Sequence, residues 1–328
     1  MKVKWGILST AKIGREKVIP AIQKSEFCEV TAIASRNLDA AKALAQQLGI
    51  PKAYGSYPEL LQDKEIAAVY IPLPNDMHVE WAIQCLEADK HVLCEKPIAL
   101  TSQQAQRLLD AAKKKPGLKI MEAFMYKFHP QWKYALKMVQ DNVIGEVKNI
   151  QSFFSYYNID PNNIRNKKEA GGGGLMDIGC YCISFARLIF GREPEKVFGS
   201  VDIDPKLQTD RVASGILDFG TGTSAFTCST QMFPYQRVNI VGTEGRIEIE
   251  IPVNAPPDIQ TQIWHYSKAG PGKIVFNPAD QYILQADQFA KAILDDTPVP
   301  VSLEDAVYNM KVIDAIFESA KEGIWKTM

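Results

Sequence analysis

Over residues 1–125 short apolar runs alternate with longer helical patterns, and this alternation restricts the fold more than any other feature of the chain. The apolar runs are VKWGIL, EVTAIAS, IAAVYIPLP, HVLCEKP and LKIMEAF, separated by segments such as LDAAKALAQQLG and SQQAQRLLDAAKKK. Strands that alternate with helices form a parallel sheet with helices on both faces. Strands buried on both sides are nearly continuous hydrophobics, as these are. A doubly wound α/β domain is therefore predicted over 1–125.

After about residue 145 the texture changes to longer alternating strands, among them VKNIQSFFSYYN, SGILDF, TSAFTCSTQM, RVNIVG and RIEIEI, the last two joined by Gly242-Thr243-Glu244-Gly245. Hairpins of this kind build an open, mainly antiparallel sheet, so 126–328 is predicted to be an α+β domain for substrate binding and oligomerisation. Helices are expected at 282–295 and 303–322, the latter a candidate to pack back on the first domain. The polar stretch PNNIRNKKEAGGGG, 161–174, is the most loop-like segment and leads into a helix, a favourable place for a ligand-facing loop.

Composition narrows the partners. The 328 residues are 46% hydrophobic and 23% charged, as in ordinary globular proteins, and 37 basic against 38 acidic residues leave no nucleic-acid-binding footprint. A small-molecule partner is the expectation, with no nucleic acid and no membrane. No run approaches the ~18 consecutive apolar residues of a membrane span, and MKVKWGILST enters a strand instead of a signal sequence, so a soluble cytoplasmic protein is expected. The cysteines at 28, 85, 94, 180, 182 and 228 have no C-x-x-C spacing, and the four histidines are not grouped as ligands, so reduced thiols and no metal are expected.

A dinucleotide fingerprint G-x-G-x-x-G laid on the first strand-helix turn falls on Ser9, Ala11 and Gly14. Two glycines are replaced by small residues, and a plain strand-helix turn would look the same on this segment alone. Small Ala11 still lets the backbone approach a pyrophosphate, Gly14 would let the helix pack closely on the strand, and helix amides would supply an anion site. Ser9, Thr10, Ala11, Lys12 and Ile13 are the candidate contacts. The second strand ends Ala34-Ser35-Arg36-Asn37, where an NAD-preferring domain usually carries a carboxylate for the ribose. Arg36 offers a charged fork for a 2′-phosphate, which favours NADP over NAD.

Strand five ends Cys94-Glu95-Lys96-Pro97, placing Glu95 and Lys96 at the carboxyl edge of the sheet, where open α/β folds bind ligands. A cis Lys96–Pro97 bond is expected to direct the lysine. The flexible-looking Gly171-Gly172-Gly173-Gly174 then opens a helix in which Asp177 and Tyr181, four apart, share a face separate from the apolar stripe Ile178, Cys182, Phe185 and Ile189. Hydride transfer to a carbonyl leaves an alkoxide that needs a proton, and a phenol beside an ammonium can supply it. Either Tyr181 or Lys96 holds that proton, and Asp177 orients a substrate hydroxyl or Lys96. Arg165, Asn166 and Tyr282 are further pocket candidates.

With these residues assembled, the chain resembles the glucose-fructose oxidoreductase and inositol dehydrogenase (Gfo/Idh/MocA) family over nearly its whole length. The matching pieces are GILSTAKIG, Tyr70 to His78 (YIPLPNDMH), Glu95-Lys96-Pro97 and GGGGLMDIGCY. The resemblance implies a Rossmann domain followed by an open sheet that commonly forms a subunit interface. It also implies cofactor contacts from Ile13, Ser35, Arg36, Leu73, Asn75, His78 and Glu95, and it puts Lys96 on the family's catalytic lysine. Tyr181 stands where inositol dehydrogenase-like members have His. The tyrosine version, with PKAYGSYPEL and MEAFMYKFHP, resembles the dihydrodiol dehydrogenase and NADP-dependent xylose dehydrogenase branch. A sugar, cyclic polyol or dihydrodiol substrate is implied, with nucleotide-sugar ketone reduction as an alternative and a non-catalytic NADP sensor as a reading from another class. Exposed sheet aromatics such as Phe153 and Phe154 predict a homodimer or homotetramer.

Overall fold

The computed structural model describes residues 2–328, which divide into two compact units: Met1–Met125 with Gln281–Val307, and Tyr126–Asp280 with Tyr308–Met328. The first unit is thus not a continuous stretch, because 281–307 returns to it.

In the first unit, β1 (Val3–Leu8), β2 (Cys28–Ala34), β3 (Lys52–Tyr54), β4 (Ala68–Ile71), β5 (His91–Cys94) and β6 (Ile120–Glu122) form one sheet in the order β3-β2-β1-β4-β5-β6, every pair parallel. The order reverses between β1 and β4, where ligands of such sheets bind beyond the carboxyl ends of the strands. All four β4 residues are buried, consistent with helices on both faces. The crossovers are α1 (Ile19–Lys24), α2 (Leu38–Leu48), α3 (Tyr57–Gln62), α4 (His78–Glu87) and α5 (Ser102–Lys113). Three begin on side-chain caps: Asn37 accepts the Ala40 N–H, Ser56 that of Glu59 and Thr101 that of Gln104. The close glycine approach is at Gly6, whose Cβ would sit 2.7 Å from Leu60 Cδ2, and not at Gly14, where a Cβ would meet Pro72 at an ordinary 3.5 Å. The sequence expectation of tight packing at Gly14 is corrected accordingly.

The second unit opens with α6 (Pro130–Gln140) and holds β7 (Val147–Tyr157), α7 (Cys180–Phe190), β8 (Lys196–Ile203), β9 (Asp210–Asp218), β10 (Thr223–Ser229), β11 (Gln231–Gly242), β12 (Gly245–Ile249), β13 (Thr261–Ser267) and β14 (Gly270–Phe276). The chain then gives α8 (Gln281–Leu294) to the first unit, where Phe289 packs on Trp5, and ends in α9 (Leu303–Glu322) and β15 (Lys326–Thr327). The nine-stranded sheet has the order β14-β13-β12-β11-β7-β10-β9-β8-β15 and is antiparallel except for the parallel pair β7/β10. Burial alternates along β10, so one face is core.

Helix α7 is buried almost all round, with Trp132 of α6 stacked on Phe185 at 4.5 Å and Tyr126 edge-on to it. Fully burying Phe185 contributes about 2–3 kcal/mol. The helical run Lys168–Phe190 is long and apolar enough by composition to cross a membrane, but 89% of its most apolar window is buried inside the protein. It is a core helix, which counting consecutive apolar residues overlooks because polar residues interrupt the run.

Phe154 is buried and Phe153 half-buried, so the expectation that both lie exposed is corrected; the exposed aromatics of β7 and β11 are Tyr157, Phe233 (88% exposed) and Tyr235. All six cysteines are free and buried.

Candidate active site

The cofactor candidates lie at the carboxyl ends of the parallel strands. Ser9 follows β1 with φ at 80°, a left-handed backbone that glycine adopts more readily and that accounts for the first glycine of the fingerprint. Its hydroxyl donates to the Pro72 carbonyl at 3.3 Å and accepts the Ala11 N–H at 3.2 Å. One serine therefore ties the loop after β1 to the loop after β4, across the point where strand order reverses. The helix begins after Ala11, whose carbonyl accepts the Arg15 N–H, and widens to a π turn over Gly14–Val18. The amides of Lys12, Ile13 and Gly14 precede the first intrahelical bond and suit a phosphate. Thr10 and Ile13 are half-buried, and Lys12 is exposed with an ion pair to Glu16.

Arg36 is exposed beyond β2, and no carboxylate stands between Ser35 and Asn37. The Ser35 hydroxyl accepts the Asn37 N–H. These residues fit a dinucleotide with a 2′-phosphate: amides at the helix start for the pyrophosphate and a guanidinium for the extra charge.

Asn75 and Glu95 are half-buried, and Glu95 accepts a 2.6 Å hydrogen bond from the Tyr70 phenol, whose pKa burial and the Glu95 charge push up. Leu73 is buried. His78 is fully buried, with Nδ1 2.8 Å from the Pro97 carbonyl and Nε2 2.8 Å from the Leu73 carbonyl. Two acceptors ask for a donor at each nitrogen, while burial lowers the pKa of the ring. Its imidazole bridges the loops after β4 and β5, both ring nitrogens being engaged by backbone carbonyls. Lys96 is half-buried, and the Lys96–Pro97 bond is cis.

In the second unit Asp177 lies in the π turn Leu175–Gly179, and Tyr181 lies in α7, which continues it from Cys180. Tyr181 is buried, 4% exposed, among the rings of Tyr126, Phe154 and Phe185. Asp177 accepts a 2.6 Å hydrogen bond from the Tyr156 phenol and pairs with Arg165 Nε at 3.0 Å. Burial and the Asp177 charge raise the Tyr156 pKa well above the phenol range. Tyr156 was not legible as a site residue; its one signal is its place near the end of β7.

Asn166 is buried and ties the loop to itself through Asn158 and the Asp160 carbonyl. Tyr282 is half-buried in the first unit.

The glycine run is not the flexible loop expected. Gly173 has φ of 122°, and its Cβ would lie 1.8 Å from Asp210 Oδ1; at Gly172 a Cβ would meet the Arg165 carbonyl at 2.4 Å. Asp210, buried at the start of β9, accepts the Leu175 N–H at 2.6 Å. Burial pushes its carboxyl up to about 7 against the lowering effect of backbone N–H donors.

Two family models match the chain: an oxidoreductase family with an NAD-binding Rossmann fold over residues 3–124, and the GFO/IDH/MocA C-terminal domain over 132–248. The chain belongs to the GFO/IDH/MocA oxidoreductase family. It is an NAD(P)-dependent dehydrogenase or reductase with the two-sheet fold of that family. An uncharacterised oxidoreductase of Rhizobium meliloti is 45% identical over 332 residues, 99% of each chain. D-xylose 1-dehydrogenase (NADP(+)) 2 of Haloferax volcanii is 39% identical over 326 residues, 97% of this chain and 98% of the relative. Among solved structures, a 3-ketoreductase from Actinomadura kijaniata in complex with NADP and TDP-benzene is 29% identical with a TM-score of 0.91, over 97% of this chain and 98% of that one.

Proposed function

We propose that the chain is an NADP-dependent enzyme that interconverts a secondary alcohol, or the hemiacetal carbon of a sugar, and a carbonyl, with a sugar, cyclic polyol or dihydrodiol as substrate. The observation that carries the cofactor choice is exposed Arg36 at the end of β2, with no carboxylate from Ser35 to Asn37. A 2′-phosphate meets a guanidinium there and no repulsion. The substrate class is supported by the likeness to the D-xylose dehydrogenase and by the polar group of Asp177, Arg165 and Tyr156, suited to hydroxyls.

The bound dinucleotide supplies the hydride acceptor in oxidation and the donor in reduction. Lys96 and Tyr181 are proposed to serve the reacting oxygen, one holding the proton that leaves or joins it and the other stabilising its charge. Asp177, held by Tyr156 and Arg165, orients a neighbouring substrate hydroxyl. Ser9, Thr10, Ala11, Lys12 and Ile13 bind the pyrophosphate; Ser35 and Arg36 the adenosine ribose; Leu73, Asn75, His78 and Glu95 complete the cofactor contacts. The likeness to the 3-ketoreductase supports a second reading, reduction of a keto-sugar carried on a nucleotide. A cytoplasmic homo-oligomer, paired through the sheet face that bears Phe233 and Tyr235, completes the proposal.

NADPH and NADH titrations of the wild type and Arg36→Ala test the cofactor choice. The variant should lose about 1.5–3 kcal/mol, ten- to hundredfold, with NADPH alone. Oxidation of D-xylose by NADP should then vanish in Lys96→Ala and Tyr181→Phe while NADPH still binds. Equal binding of both nucleotides by wild type and variant would refute the NADP reading, and unchanged turnover would refute the two roles.

A further inference from the structure

Asp210 is a buried carboxylate to which the chemistry above gives no role. Its surroundings are one-sided: Oδ2 accepts the Leu175 N–H at 2.6 Å, and the Gly174 and Asp210 N–H groups also favour the charged form. Donors alone suit an anion, whereas a carboxylic acid needs an acceptor for its own proton. Oδ1 occupies the space that a side chain at Gly173 would take, and Gly174 stacks against Oδ2, where a Cβ would come to 3.3 Å. The glycines are there to let the backbone close around this carboxylate. What it holds is the head of the helix: Leu175 opens the π turn that carries Asp177, and Tyr181 lies on α7 directly beyond. Burying an unneeded charge is costly, and an apolar residue would fill the space more cheaply if packing were the only purpose.

We propose that Asp210 is a positioning residue for the oxidoreductase reaction: in its ionised form it gathers the amides at the head of the helix and thereby orients Asp177 and Tyr181. The proposal rests on the roles assigned above to those two residues. The other titratable groups facing Asp210 are Asp177 on the π turn, Tyr156 on β7 and Cys228 on β10, with Arg165 partly neutralising Asp177. Burial sets ionisation near pH 7, so the grip is present above neutrality and weakens below it.

Amide hydrogen exchange over Gly171–Asp177 of the full chain tests the device without any substrate. After correction for intrinsic exchange, protection of Gly174 and Leu175 in the wild type should rise between pH 6 and 8 with a midpoint near 7. In Asp210→Asn it should be low and independent of pH. With NADP and D-xylose, Asp210→Asn should lower kcat/KM about ten- to hundredfold and abolish the acidic limb of its pH profile, with NADPH affinity unchanged. A purely structural role would scale the profile down at every pH and leave its shape. Wild-type protection that is flat across pH 6–8, or a limb that persists in the variant, overturns the proposal. Absence of D-xylose turnover in the wild type overturns the substrate reading instead, and exchange alone then decides on Asp210.

Discussion

The turn after β1 and the glycine run before α7 invite comparison, because each leads into a five-residue π turn, Gly14–Val18 in one and Leu175–Gly179 in the other. The first lacks two of the three expected glycines and yet takes a glycine-like path, with Ser9 at φ 80° held by its own hydroxyl. The second has four glycines in a row and is nevertheless closely packed, around Asp210. Glycine content therefore indicates neither flexibility nor phosphate binding by itself; what matters is the atom that would collide with a Cβ.

The sharpest way to break this contrast is an alanine at each site. In Gly173→Ala, left-handed strain of about 2 kcal/mol and overpacking of about 3 kcal/mol together approach the whole stability of a domain, so little folded protein should remain. Gly14→Ala has room for its methyl and should be neutral or stabilising by about 0.5 kcal/mol in urea denaturation. Equal effects would erase the distinction.

A second difference is charge, since only the glycine run encloses a titrating group. The Asp210 pKa is about 7 folded against an ordinary 3.8, so the unfolded chain loses its proton first. The contribution of this group to stability is full below pH 4 and is lost as pH rises through 7, by up to about 4 kcal/mol. His129, lowered to about 4 by burial, acts oppositely, and its contribution is lost as pH falls from 6.5 toward 4. The wild-type minus Asp210→Asn difference in unfolding free energy isolates the first effect, and a flat difference between pH 4 and 7.5 would contradict it. The ionisation that orders the helix head is thus also the one that costs stability.

The smallest effect concerns Ser9. Ser9→Ala loses two hydrogen bonds worth about 1 kcal/mol each and keeps the strained backbone. Ser9→Gly loses the same bonds but recovers about 1 kcal/mol of strain, so glycine should be the milder replacement in the same denaturation assay. If alanine were milder, the left-handed backbone at this position would not be a source of strain.

The parts of the molecule legible in the sequence are those with strong local signals. β1, β2, β4, β5 and β6 are continuous hydrophobic runs, and α8 and α9 carry clear periodicity. β3 is three half-buried residues, and edge strand β14, GPGKIVF, is mostly exposed and rich in glycine and proline, so neither has a pattern to detect. Of the residues proposed for the site, Lys96, Asp177 and Tyr181 stand out because a proline or a glycine run marks them. Tyr156 and Asp210 do not, since their partners are 21 and 35 residues away in the chain, and such pairings exist only once the sheet has formed. The π turns were invisible for the same reason: nothing in GREKV or LMDIG departs from ordinary helical sequence.

The six buried thiols make the native protein a silent background for sulfhydryl chemistry. Burial raises the pKa of Cys28, Cys85, Cys94, Cys182 and Cys228, so thiolate is scarce as well as shielded. A short maleimide pulse would therefore mark only molecules caught open. Because Cys28, Cys85 and Cys94 lie in the first unit and Cys180, Cys182 and Cys228 in the second, mass tags on each set would time the opening of one unit independently of the other.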